Sequence, residues 1–340
     1  MPIQRIEDAH ARFMASPLAQ VASQIEQEVM VSSVFGTNTI EGGALTEDET
    51  ASALALDPDQ VREVEQRRAL NIKAAFDEAQ RAASQAGWRL NEAFITRIHA
   101  LITRDIPHPD NQPGVIRANT KTRVTYAGDD AHGGRYKPPQ FEGDIRTLLS
   151  ALITWHDALI QAGVPALVRA PLLHFYFELI HPFWDGNGRV GRVIEAAVLH
   201  GAGYRHAPFA MARYYLGEMN RYFTLFNLCR KAAEKSQTAA NQPFVEFHLE
   251  GMRHTIDSLH ARVSRIVSAL LFEATLRRAY DEKTINARQY TIVSQVLQAG
   301  GAVPLDQMRR APWYVSLYLK LNDKTRSRDL VKLRGLGLLK

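Results

Sequence analysis

The string His181-Pro182-Phe183-Trp184-Asp185-Gly186-Asn187-Gly188-Arg189-Val190-Gly191-Arg192 constrains this chain more than any other stretch. Gly186 and Gly188 strip the backbone bare around Asn187 and leave its N–H groups free to face an anion. Val190 through Leu199 then reads as a helix, and a helix N-terminus favours negative charge. Arg189 and Arg192, three residues apart, share one face of that helix. Guanidinium groups fork onto phosphate oxygens, so the loop suits a polyphosphate. Asp185 is a candidate ligand for a Mg²⁺ bridging phosphate oxygens. His181 is a candidate proton acceptor, since an imidazole titrates near neutrality.

The rest of the chain is helical by pattern. Leu18, Val21, Ile25, Val29, Val31 and Val34 recur at helical spacing, and Thr46-Glu47-Asp48-Glu49 predicts a capping box opening the next helix. The helical period continues over 60–86 and 90–104. It breaks over 106–140, where prolines and glycines crowd the chain. There Val115-Ile116-Arg117 and Thr122-Arg123-Val124-Thr125-Tyr126 are strand-like, with turn signals at Gly128-Asp129-Asp130 and Gly133-Gly134. A β-hairpin or loop is expected in an otherwise helical body. Helices are expected again over 141–162, 166–180, 188–201 and 213–234, and Pro243 opens a long one to about 280. A last unit begins near 284, with helices at Ala287–Gln298, Pro304–Arg310 and Lys324–Leu333 and a strand-like ending at Gly335-Leu336-Gly337-Leu338-Leu339.

Composition sets the boundaries of this reading. Apolar residues make up 46% and charged residues 23% of the 340, as in ordinary globular proteins. The lone Cys229 excludes an internal disulfide and fits a reducing compartment. No apolar run reaches the roughly 18 residues of a membrane span, and Met1-Pro2-Ile3-Gln4-Arg5 opens no secretory signal, so a cytoplasmic location without membrane attachment is expected. Residues 320–340 hold seven basic and two acidic groups, equal to the whole chain's formal charge of +5. Such local density suits a nucleic-acid face or a solvated surface.

These residues carry a resemblance. The string 181–192 matches the Fic (filamentation induced by cAMP) motif His-x-Phe-x-Asp/Glu-Gly-Asn-Gly-Arg-x-x-Arg at each defined position. Most such enzymes transfer AMP from ATP to a hydroxyl of a target protein. The resemblance implies His181 as general base, Asp185 as Mg²⁺ ligand, Gly186, Asn187 and Gly188 as anion hole, and Arg189 and Arg192 as phosphate holders. Leu173-His174-Phe175 and Leu179-Ile180 are similar to the helix leading into the motif, and 114–140 is similar to the flap that aligns a target side chain by strand-like pairing. Tyr222-Phe223 resembles the aromatic pair near the adenine pocket, where the family more often has two tyrosines, and Ala212 stands where a serine often begins that helix. Thr37-Asn38-Thr39-Ile40-Glu41-Gly42 resembles the family's inhibitory motif Ser/Thr-x-x-x-Glu-Gly/Asn. That implies that Glu41 pairs with Arg192 and withdraws it from the γ-phosphate. The segment Lys324–Leu333 with Gly335–Leu338 resembles the recognition helix and wing entry of a winged helix, in which Arg326 and Arg328 would meet DNA.

The expected architecture is therefore mainly α: a Fic-type helical bundle with a small β-hairpin flap and a C-terminal winged-helix domain. Its parts are a helical region over 1–88 carrying the inhibitory motif 37–42, a catalytic core over 89–242, a linking helix over 243–283 and a winged-helix-like unit over 284–340. The expected activity is autoinhibited AMP transfer from ATP, with Mg²⁺, to a Ser, Thr or Tyr hydroxyl of a target docked at the flap or of the protein itself. Two alternatives stay open: removal of AMP or transfer of another phosphate-containing group by the same site, and a DNA-binding regulator with a nucleotide-sensing body. A homodimer is expected on the general frequency of twofold pairing.

Overall fold

The computed structural model describes residues 2–17, 21–120 and 122–339. Leu18 of the first apolar stripe, Lys121 of the flap and the basic Lys340 lie outside them. The architecture is mainly α. The helix α1 (Pro2–Ala15) and residues Ala22–His260 form one compact unit, and a second extends from Ala261. The boundary falls inside one long helix, α11 (Gln242–Asp281).

The first unit is ordered around two helices that have no polar face to turn to water. In α7 (Ala166–Ile180) apolar side chains occupy all sides, and such a helix must lie inside. The next, α8 (Asn187–Gly201), has every residue from Val190 to Leu199 buried. These two helices pack together; residues 181–186 are the turn between them, and residues 187–192 are already the start of α8. Around them stand α2 (Ala22–Ile40), α3 (Glu47–Leu54), α4 (Val64–Ala83), α5 (Glu92–Thr103) and α6 (Glu142–Gln161), then α9 (Ala207–Gly217) and α10 (Met219–Glu234). The capping box at Thr46 is complete: the Glu49 N–H donates to Thr46 Oγ1 at 3.2 Å and the Thr46 N–H to Glu49 Oε2 at 2.8 Å. Where one helix was expected over 213–234 there are two, interrupted at Gly217-Glu218, and α9 begins earlier, with Pro208 in its first turn.

Helix α2 lies on α9 with no slack. The Ser33 hydroxyl reaches the carbonyl of Phe209, and a Cβ placed on Gly36 would stand 2.8 Å from the Ala212 carbonyl carbon and 3.0 Å from the Arg213 nitrogen. Backbone cannot rotate away as a side chain can. Gly36→Ala is therefore expected to cost about 1–3 kcal/mol and lower the melting temperature by several degrees; a thermal unfolding curve superimposing on the wild type's would contradict this packing.

The expected hairpin strands do not form. Among the described residues of 106–140 the strand pairing is one antiparallel bridge, Ala127 with Tyr136, bonded both ways at 3.0 and 2.9 Å. The next rung would set Thr125 opposite Pro138, which has no N–H to give. The Gln140 side chain takes its place: Oε1 accepts from the Thr125 N–H at 2.8 Å, and Nε2 donates to the Thr125 carbonyl at 3.1 Å. The flap is thus a loop laced by amide side chains.

The second unit has its own core. Leu276 and Ile285, Ile292 and Val293 of α12 (Ala287–Gln298), and Met308 of α13 (Leu305–Arg310) pack with Tyr314 of α14 (Pro312–Ser316), Tyr318, and Leu330 and Leu333 of α15 (Asp323–Gly335). The strand-like ending is corrected here. After α15 the Leu338 N–H bonds back to the Leu333 carbonyl and the Gly337 N–H to that of Arg334, with Gly337 at φ 69°. That is a Schellman stop, closed by Leu338 against Leu333, and it uses the glycine for a left-handed residue rather than a strand. No wing strand is present among the described residues. Arg326 turns inward, its guanidinium 5.3 Å from the Tyr318 ring centre, whereas Lys324, Arg328 and Lys332 are exposed.

Candidate active site

The αL conformation of His181 (φ 50°) ends α7, and the αL conformation of Gly186 (φ 80°) starts α8. Two left-handed residues five apart fold residues 181–186 into a compact turn. The Asn187 side chain then locks it: Oδ1 accepts from the Phe183 N–H and Nδ2 donates to the Phe183 carbonyl, both at 2.9 Å. The side chain of Asn187 is thereby spent on the turn, so any anion contact falls to the backbone. The first N–H groups of α8 have no partner within the helix, which gives them to the cleft.

That cleft measures about 320 Å³ and is lined by Glu41, Glu178, His181, Asp185, Gly186, Asn187, Gly188, Arg192 and Tyr222, with flap residues including Gly128 and Tyr136. Of the expected site residues only Arg189 is absent from the lining. Its guanidinium is buried and holds Asp185 Oδ2 at 2.7 Å. Burial opposes ionisation of Asp185, but Arg189 outweighs it and keeps the carboxyl below its ordinary range. Arg189 Nε and Nη1 and Arg192 Nε are buried donors without partners, an arrangement that calls for an anion.

Glu41 ends α2 at the mouth of this turn. Its Oε1 lies 2.6 Å from Arg192 Nη2, and a Cβ on Gly188 would stand 2.2 Å from that same oxygen. Only glycine at 188 lets the carboxylate sit there. Arg192 is buried; burial opposes its charge, but Tyr222 and Glu41 outweigh it and hold it protonated. His181 is pushed down to about 4, first by burial and then by the Arg117 charge. It is therefore a neutral base at pH 7.

Tyr222 is buried, and its hydroxyl is engaged by Arg192 Nη1 at 3.3 Å and His174 Nε2 at 3.0 Å. It lines the cleft with Phe223 and Phe226, so the expected aromatic pair is on the wall while its polar end serves the arginine.

The roles of five residues escaped the sequence reading. Arg117, expected in a strand, is buried and ties flap to loop: Nε donates to the His181 carbonyl at 2.7 Å, and Nη2 reaches the carbonyl of Pro139. His99 stacks flat on Phe183 with ring centres 3.7 Å apart, accepts from the Gly114 N–H and gives its Nε2 proton to the Asp185 carbonyl. Arg123 of the flap lies 4.0 Å over the Trp184 ring. Nothing local marks Arg117, His99 or Trp184, whose partners lie far along the chain. Glu178 did carry a signal, being the one ionised residue type between Arg169 and His181 in an apolar helix.

Burial, then the nearby Glu41, raises Glu178 to about 8, against Arg192, which lowers it. A folded-state value above the unfolded one means that folding favours the protonated carboxyl. The penalty is nil below about pH 4.5, grows as pH rises and is complete above about pH 8. Glu178→Gln is therefore expected to leave the melting temperature unchanged near pH 4.5 and raise it by a few degrees at pH 9. A difference independent of pH would show that Glu178 is not held protonated.

Residues 89–199 match the Fic/DOC family. A probable protein adenylyltransferase of Aquifex aeolicus is 29% identical over 87 residues, covering 26% of each chain. The protein adenylyltransferase Fic of Drosophila ananassae is 24% identical over 237 residues, 68% of this chain and 42% of that protein. The chain thus spans less than half of these relatives. A Fic-domain-containing signalling protein from Bacteroides thetaiotaomicron shares the fold, with a TM-score of 0.63 at 17% identity over 78% of this chain and 97% of that one. A left-handed turn that leads into a buried helix, with the full motif inside the matched segment, leads to one conclusion: residues 89–199 form a Fic/DOC-family domain.

Proposed function

We propose that the protein is an autoinhibited adenylyltransferase that moves AMP from ATP to a hydroxyl side chain of a target protein. The observation that carries this reading is the 2.6 Å pair between Glu41 and Arg192 at the mouth of a cleft that also holds His181. The relatives named as adenylyltransferases support the AMP chemistry.

In this reading the α8 N-terminus, Arg189 and Arg192 receive the triphosphate. Neutral His181 takes the proton of the incoming hydroxyl. The oxygen forms a bond to the α-phosphorus, the bond from that phosphorus to the bridging oxygen breaks, and pyrophosphate leaves with the electron pair. Positioning and charge stabilisation supply most of the rate. Asp185 fits a Mg²⁺ that arrives with the nucleotide: Arg189 takes only its Oδ2, and no group of three metal-binding side chains is present among the described residues. Such an ion, held by one carboxylate and phosphate oxygens, would neutralise charge on the phosphates. Arg117 keeps flap and turn together, and the exposed Val124 and Tyr126 offer the target an edge to pair with.

Glu41 inhibits by engaging Arg192 Nη2 and standing over Gly188, where the terminal phosphate would otherwise bind. Intact-mass spectrometry of Glu41→Gly with ATP and Mg²⁺ tests the reaction class. One added AMP unit is expected on the protein itself or on an added target, and no adduct on either overturns the reading.

A further inference from the structure

Both terminal nitrogens of Arg192 are held, and Nη2 also reaches the Thr37 carbonyl at 3.4 Å. Glu41 holds Nη2 from the cleft side, and a chain of buried groups holds Nη1. That chain runs from the Tyr222 hydroxyl (3.3 Å from Nη1) to His174 Nε2 (3.0 Å), and from His174 Nδ1 to Glu195 Oε2 (2.7 Å). On the far side the Tyr215 hydroxyl reaches Glu195 Oε1 at 2.8 Å and His248 Nδ1 at 3.0 Å. All six residues are buried, and His174, Glu195, Tyr215 and His248 do not line the cleft.

With Glu195 ionised, the donor and acceptor inventory leaves one proton arrangement. A guanidinium only donates, so Tyr222 accepts from Arg192 and passes its own proton to His174 Nε2. His174 is then neutral with its proton on Nδ1, and it donates to Glu195. Were His174 doubly protonated, Tyr222 would face two donors and its own proton would have nowhere to go. Tyr215 gives its proton to the other Glu195 oxygen and accepts from His248 Nδ1–H. Every proton thus points towards Glu195, a carboxylate one turn along α8 from Arg192, and each hydrogen bond polarises the next.

We propose that Tyr222, His174 and Glu195 are positioning residues that hold the Arg192 guanidinium in its phosphate-binding pose whether or not Glu41 is present. This rests on the adenylyltransferase reading, in which Arg192 meets the terminal phosphate. Glu41 then has only to leave for the site to be ready, because the Nη1 edge never loses its partner. The chain's effect is therefore confined to ligands that use Arg192.

The test compares ATP with ADP, which lacks the terminal phosphate, binding by calorimetry to the Glu41→Gly protein in the presence of Mg²⁺. The parent is expected to prefer ATP. Tyr222→Phe keeps the ring stacked on Tyr215 (centres 4.8 Å apart) and deletes the hydroxyl. It is expected to cut the ATP-over-ADP preference about tenfold, the worth of one hydrogen bond to a charged group, with ADP affinity changed less than twofold. Glu195→Gln, which keeps the shape at the chain's end, should act in the same direction and stands in if Tyr222→Phe does not fold. In an Arg192→Lys background neither change should lower the preference further. An unchanged preference in both variants, or an equal loss for ATP and ADP, overturns the proposal as mere packing. A parent that binds neither nucleotide overturns the underlying reading instead.

Discussion

Glu41→Gly is expected to raise AMP incorporation by about 10²-fold over the wild type. The carboxylate does not fill the cleft; it engages one edge of one guanidinium and the space over Gly188. ATP can therefore still enter, but its terminal phosphate is denied Arg192 and the α-phosphorus sits off the line of attack. A misplacement of about 1 Å is enough to cost about 10²-fold. Labelled ATP with Mg²⁺ reads the effect directly, with the protein itself and a candidate target as acceptors. Equal labelling of wild type and Glu41→Gly would remove Glu41 from the account.

The second large effect is that of His181. In the Glu41→Gly background, His181→Ala is expected to lower incorporation by about 10²–10⁴-fold, the usual contribution of a positioned general base. Nucleotide binding should change little, because the imidazole faces the acceptor and not the phosphates in this reading. The loss should appear in kcat rather than in the KM for ATP. A Glu41→Gly/His181→Ala protein that labels as fast as its parent would mean that some other group takes the proton, and Glu178, its carboxyl raised to about 8, could not be it without first ionising.

The helices were legible because two of them admit no alternative. The mostly apolar α7, with no continuous polar face, must be central, and the glycines at 186 and 188 mark the turn that leads into α8. The strings at 37–42 and 181–192 are separated by about 140 residues, yet each carries one half of the Glu41–Arg192 pair. What was illegible depended on partners set by the fold. Thr122–Tyr126 has strand-like residues, but strand pairing is decided by what stands opposite, and Pro138 ends the ladder after one bridge. Gly335-Leu336-Gly337-Leu338-Leu339 alternates like a strand, but Gly337 supplies a left-handed stop and Leu338 joins the core. Arg117 and His99 look ordinary in sequence, since their partners, the carbonyls of His181 and Asp185, exist as acceptors only once the turn has formed. Tyr222 was legible as an aromatic on the cleft wall, but not as the hydroxyl that holds Arg192.

The most direct test is a crystal of Glu41→Gly soaked with ATP and Mg²⁺. The triphosphate is expected on the α8 N-terminus between Gly186 and Gly188, with its terminal phosphate on Arg192 and the His181 imidazole beside the α-phosphorus. A turn left empty at saturating ATP, or an imidazole turned away from the bound nucleotide, would contradict it.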